Sequence, residues 1–151
     1  GEASIGVIET LKELNIESAF GQHSGVVSKK SNSYYLPRFS INESFGSLDR
    51  FIFAANAKAL SVSGFIPSDM YLDKKDHTKI EFNIPDHINY KNINCYANFN
   101  NEWIEINLIE KNTNRIKFDL KKDFDSGRRR FNCTTKFDSE WYWFGYQFLV
   151  K

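Results

Sequence analysis

Imidazole is the commonest protein metal ligand and proton carrier near neutral pH, so His23, His77 and His87 are the first residues to weigh. A metal centre needs several ligands at spacings that bring them together, such as two histidines one helical turn apart, and these three offer no such pair. His77 closes the charged run Asp73-Lys74-Lys75-Asp76-His77 and reads as solvated, while His87 follows Pro85-Asp86 and reads as a turn residue. His23 follows a short apolar segment, where α/β folds place binding groups; it reads either as a site residue or as a structural one. The surrounding Gly21-Gln22-His23-Ser24-Gly25 has the outline of a nucleophile elbow, but its serine lies directly before the last glycine. An elbow puts one residue between them, so serine hydrolysis is not expected, and no phosphate loop is present. Asp123 and Asp125 fall in a turn and read as solvated charge.

Two further clusters have the right residue types. In Arg128-Arg129-Arg130-Phe131, strand alternation sends Arg128 and Arg130 to one face and Arg129 to the other, which halves the basic cluster. Without wider basic support it does not suggest nucleic-acid binding. In Trp141-Tyr142-Trp143-Phe144, the same alternation places Trp141 and Trp143 together, opposite Tyr142, Phe144, Tyr146 and Phe148. One set can fill a core. The other either packs under a neighbouring segment or presents ring faces to a sugar. Cys95 and Cys133 form no C-x-x-C, which excludes a zinc knuckle or a thioredoxin-type motif and leaves two buried thiols or one long-range disulfide.

These groups must be positioned by elements that composition and periodicity outline. The 151 residues carry 20 Lys+Arg against 19 Asp+Glu, so net charge gives no reason to expect a nucleic acid or an anionic membrane as partner. A hydrophobic fraction of 41 % argues against disorder, and no apolar stretch approaches the roughly 20 residues of a membrane helix. Gly1-Glu2-Ala3-Ser4 shows no leader signature and reads as the start of a mature product or a fragment.

Ile5, Ile8, Leu11 and Leu14 mark a first helix capped by Ser4 and stopped near Asn15, and Ile16 to Phe20 a short buried strand. Tyr34-Tyr35-Leu36-Pro37-Arg38-Phe39 reads as a second extended piece. Leu48, Phe51, Ile52, Ala55 and Ala59 mark a second helix capped by Ser47. This is α/β texture with parallel strands, yet too short to close a covered sheet. After Pro67 the period becomes two: Ile80/Phe82/Ile84, Ile93/Cys95/Ala97/Phe99, Ile104/Ile106/Leu108, Ile116/Phe118/Leu120, Phe131/Cys133 and the apolar run 141–150. These predict an antiparallel β-sandwich, with the last run a central strand buried on both sides and both cysteines facing the core. The fold expected is therefore α+β, with residues 1–65 an α/β unit and residues 66–151 the sandwich.

Gly1-Glu2 followed by a helix, then Ala19-Phe20-Gly21-Gln22-His23-Ser24-Gly25 and Leu36-Pro37-Arg38-Phe39, resembles the back half of a polysaccharide deacetylase (NodB-homology) domain. Cys95-Tyr96, Arg130-Phe131-Asn132-Cys133-Thr134 and Trp143-Phe144-Gly145-Tyr146-Gln147-Phe148 resemble a β-sandwich appended to some such enzymes. The resemblance implies that residues 1–65 are the C-terminal remnant of a (β/α) barrel that removes acetyl groups from a glycan. It also implies a zinc-type divalent metal, held by an Asp and two His, that activates water, with a second Asp as base. Those motifs are absent here and are expected upstream of Gly1, so no catalytic residue or metal ligand is assigned to this chain. His23 and Arg38 match later barrel segments that line the family's cleft.

The chain is thus expected to be the C-terminal part of a deacetylase-like carbohydrate hydrolase, inactive alone; the alternative is a non-catalytic carbohydrate-binding or structural module. Expected partners are a glycan, stacked on Trp141 and Trp143, and the missing barrel segment, with self-association through exposed apolar edges left open. The family and the shared core-facing parity of the cysteines imply an extracytoplasmic setting.

Overall fold

Alternation at period two dominates the chain beyond its first third, and the computed structural model turns most of those runs into strands; it describes residues 2–73, 79–99, 102–120 and 123–151. His77 lies outside the described residues. The strands are β1 (Lys58–Ala59), β2 (Ser63–Ile66), β3 (Tyr71–Leu72), β4 (Lys79–Asn83), β5 (Asn94–Phe99), β6 (Glu102–Ile106), β7 (Leu108–Asn112), β8 (Arg115–Asp119), β9 (Gly127–Phe137) and β10 (Glu140–Val150). One sheet runs β1-β10-β9-β5-β6, with β3 also on β10, and the other runs β2-β4-β8-β7. The result is a mostly-β molecule with two sheets in a sandwich-like arrangement.

Between the sheets lies an aromatic core. Phe82, Phe131 and Phe148 are wholly inaccessible, and Phe65 packs against all three at centroid distances of 5.8, 6.1 and 6.2 Å. Cys95 and Cys133 occupy directly opposed positions on β5 and β9 and are joined by a disulfide, with their Cα atoms 4.1 Å apart. Strand β10 is central: β9 borders one edge along its whole length, while β1 and β3 add to the other as short parallel partners.

Several expectations change in the structure. The run through Ile104, Ile106 and Leu108 is not one strand. It divides at Asn107, where the chain leaves β6 of the first sheet for β7 of the second, and Ile104 on that edge strand stays exposed. The second helix, α2 (Leu48–Asn56), stops before Ala59, which belongs to β1. Strands begin at Lys58.

Residues 2–57 form a layer of two helices and loops. Helix α1 (Ile5–Glu13) is capped as expected, the Ser4 hydroxyl accepting from the Val7 amide, and Asn15 ends it in the left-handed region at φ 54°. Residues 16–20 do not form a buried strand. Phe20 makes an isolated parallel bridge to Leu36, and both Ile16 and Phe20 are exposed.

Candidate functional site

Alternation along β9 and β10 sends Cys133, Phe131 and Phe144 inward, so Arg130, Asn132, Thr134 and Trp143 face outward from the first sheet. Tyr96 of β5 is the register partner of Asn132 and shares that face. Over this surface lie the loop around Ser24, the segment before α2, and α2 itself. They leave a concavity of about 400 Å³ in which Tyr96, Trp103, Arg130, Asn132 and Trp143 are joined by Arg50 of the helix.

Gly145 makes the close approach of the loop possible. A Cβ there would fall 1.8 Å from the Ser24 carbonyl oxygen, well inside van der Waals contact. Instead that carbonyl accepts from Trp143 Nε1 at 3.2 Å, which fixes the indole at the rim. Phe39 and Phe53 brace the same indole edge-on at 5.5 and 5.7 Å. Arg50 is held by rings rather than acids, its guanidinium carbon 5.6 Å from the Trp143 ring, 5.5 Å from Phe39 and 5.8 Å from Phe45. Three buried polar atoms of the pocket find no hydrogen-bond partner among the described residues: Arg50 Nε, Arg130 Nε and Asn132 Oδ1. Burial, with Arg128 nearby, pulls Arg130 below its ordinary value, although a guanidinium stays charged at neutral pH.

This surface combines flat apolar rings with fixed donors and an acceptor. Such a set can hold a ring-shaped polar molecule, its C–H face against an indole and its oxygens on the guanidinium and amide groups. Among the described residues it contains no nucleophile–base pair.

The four residues singled out from sequence are placed as follows. Trp143 is in the pocket. Trp141 shares its face but sits beyond the rim, 41 % exposed, against Phe53 at 6.1 Å and with the Lys136 ammonium 6.0 Å from its ring. His23 is buried beneath the loop, stacked on Tyr35 at 4.3 Å, and it lines a second cavity of about 360 Å³ on the far side of Trp143. Burial holds its pKa down, to about 4. Arg38 is exposed and lines neither cavity. Its Nε donates to the Gly21 carbonyl at 3.1 Å and its amide to the His23 carbonyl at 3.0 Å, so it pins the loop that carries His23.

Tyr96, Trp103, Arg50 and Asn132 were not anticipated as site residues. For Tyr96 and Asn132 a signal existed, since each flanks a core-facing cysteine and so must point outward. For Trp103 and Arg50 no local pattern reveals the pocket, which takes them from an edge strand and a helix.

No family model and no curated protein matches the chain. Among solved structures it is similar to PcoC, a copper resistance protein from Escherichia coli, with a TM-score of 0.45 and 12 % sequence identity, covering 60 % of this chain and 99 % of that one. The functional reading rests on the chain's own residues.

Proposed function

We propose that this chain is a carbohydrate-recognising module whose binding surface is the outer-face pocket of the first sheet. One observation carries the reading: the pocket sets the rings of Tyr96, Trp103 and Trp143 beside three buried polar atoms that lack partners within the described protein. Leaving such atoms unpaired costs about 1–3 kcal/mol each, so the pocket favours a solute rich in oxygen that also carries apolar C–H faces. Sugars fit that description. The test is calorimetric titration with N-acetylated oligosaccharides. Saturable binding is expected, lost in Trp143→Ala with the fold retained and kept in Trp141→Ala, whose ring lies outside the pocket. Failure of every oligosaccharide to bind would leave the sandwich a structural module and defeat the reading.

A second reading, in which the chain is the C-terminal part of a polysaccharide deacetylase-like hydrolase, is favoured by the helices. The apolar stripe of α2 faces away from the sandwich: Leu48, Phe51 and Ile52 are 70, 55 and 50 % exposed, while Phe53 and Arg50 turn inward. An amphipathic helix with that stripe uncovered suits a layer that packs against further polypeptide, such as the rest of a barrel. The divalent metal implied by that family finds no fitting donor set here. Among the described residues no three His, Cys, Asp or Glu side chains could hold an ion together, and His23 is stacked under the loop, so no hydrolytic step is derived. The bonded cysteines support an extracytoplasmic setting.

A further inference from the structure

Resting on the glycan reading, we infer that the pocket selects an acidic sugar, a ring bearing a carboxylate or a sulfate ester, gripped between Arg50 and Arg130. The arginines of the chain divide sharply. Arg38 donates to a carbonyl, Arg115 is paired with Glu81 at 2.9 Å, Arg128 is paired with Glu2 at 2.9 Å, and Arg129 donates to the Arg128 and Ser126 carbonyls. Arg50 and Arg130 are the two whose guanidinium groups have neither an ion pair nor a hydrogen bond among the described residues, and both line the same pocket. Among the described residues no aspartate or glutamate lines it with them. Glu105, opposite Tyr96 on β6, is exposed and lies outside the lining.

Two like charges in a concavity without a counter-charge make a local field that draws anions and disfavours cations. Guanidinium is also the group whose planar fork matches a carboxylate or sulfate oxygen pair. Because rings hold Arg50 from the sides, no acid has to be displaced before a ligand can engage it. Trp143, Trp103 and Tyr96 then supply the stacking surface for the ring that bears the charge. At about 400 Å³ the concavity falls within the size range of small-ligand pockets.

The decisive comparison uses one sugar with and without its charge. Tetragalacturonate and its fully methyl-esterified form are titrated into the 151-residue chain at fixed ionic strength, together with a κ-carrageenan tetrasaccharide as the sulfated probe. At least one charged probe is expected to bind about tenfold or more tighter than the ester, the scale of one charge-assisted hydrogen bond. Arg50→Gln and Arg130→Gln should each remove most of that difference, since a glutamine keeps neutral donors but carries no charge. Preference for tetragalacturonate identifies a carboxylate, and preference for the carrageenan fragment a sulfate ester. Binding of the ester as tight as that of both charged probes, still lost in Trp143→Ala, would overturn the acidic-sugar inference and leave the glycan reading standing. If neither these probes nor the N-acetylated oligosaccharides bind, both fall. Should an arginine variant misfold, the comparison of the two charged probes with the ester on the unaltered chain decides alone.

Discussion

His23 sits 4 % exposed against Tyr35, and an ionised imidazole there would lose its hydration without gaining a charged partner. Its folded pKa, near 4, lies below the ordinary 6.5, so between those values the unfolded chain binds the proton and the folded chain resists it. The stability that neutral His23 contributes is therefore whole above pH 6.5 and is lost as pH falls toward 4. At about 1.4 kcal/mol per pH unit the loss reaches roughly 3 kcal/mol. Urea denaturation at pH 7, 5.5 and 4.5 should show the native chain weakening more steeply than His23→Gln. Equal slopes would show that His23 is not buried as neutral imidazole. Glu81 behaves with the opposite charge type: its hydrogen bond from Arg115 holds its pKa down, and its contribution fades only at more acid pH in both proteins. Gly145 is a second residue on which much depends. Alanine there would drive a methyl group into the Ser24 carbonyl, so Gly145→Ala should cost about 1–3 kcal/mol by thermal denaturation and release the indole of Trp143.

Among the elements, β5 and β9 are tied by the Cys95–Cys133 bond, which closes a span of 38 residues. On the chain-entropy estimate a loop of that length contributes about 4 kcal/mol, so the double variant Cys95→Ala/Cys133→Ala should unfold at markedly lower urea concentration. Helix α2 makes the opposite expectation. Because its stripe is already in solvent, Leu48→Ser and Ile52→Ser should shift the stability of this chain by less than about 1 kcal/mol while reducing self-association in sedimentation. A loss of several kcal/mol would instead place the stripe in a core. The helix also shows where a sequence falls silent. Its 3.6-residue pattern, its Ser47 cap and its apolar face were all readable, but periodicity cannot say which neighbour covers that face. Strands gave more away, because alternation has two outcomes only: Ile80 and Phe82 inward, Arg128 and Arg130 on one side, Cys95 and Cys133 on the same side. The pocket was half legible for the same reason. Arg130, Asn132 and Trp143 follow from parity, whereas Trp103 and Arg50 reach them only through tertiary packing.

For the molecule as a whole, the first expectation is a negative one. Incubated with an acetylated oligosaccharide and zinc, the chain is expected to release no acetate above the uncatalysed background, because among its described residues no three His, Cys, Asp or Glu side chains could hold the ion together. Measurable turnover would show that catalysis lies within this polypeptide. The covering layer and the sandwich are one mechanical unit, since Trp143 and Tyr35 bind across their junction, the phenol donating to the Gln147 carbonyl at 3.0 Å. The sulfur–sulfur link acquires a meaning beyond stability from where it lies. Tyr96 and Asn132 each follow or precede a bonded cysteine by one position, so the covalent staple sits directly beneath the surface that would meet the ligand. A reductant that opens it should thus loosen the floor from below and weaken ligand capture, making affinity a reporter of thiol state.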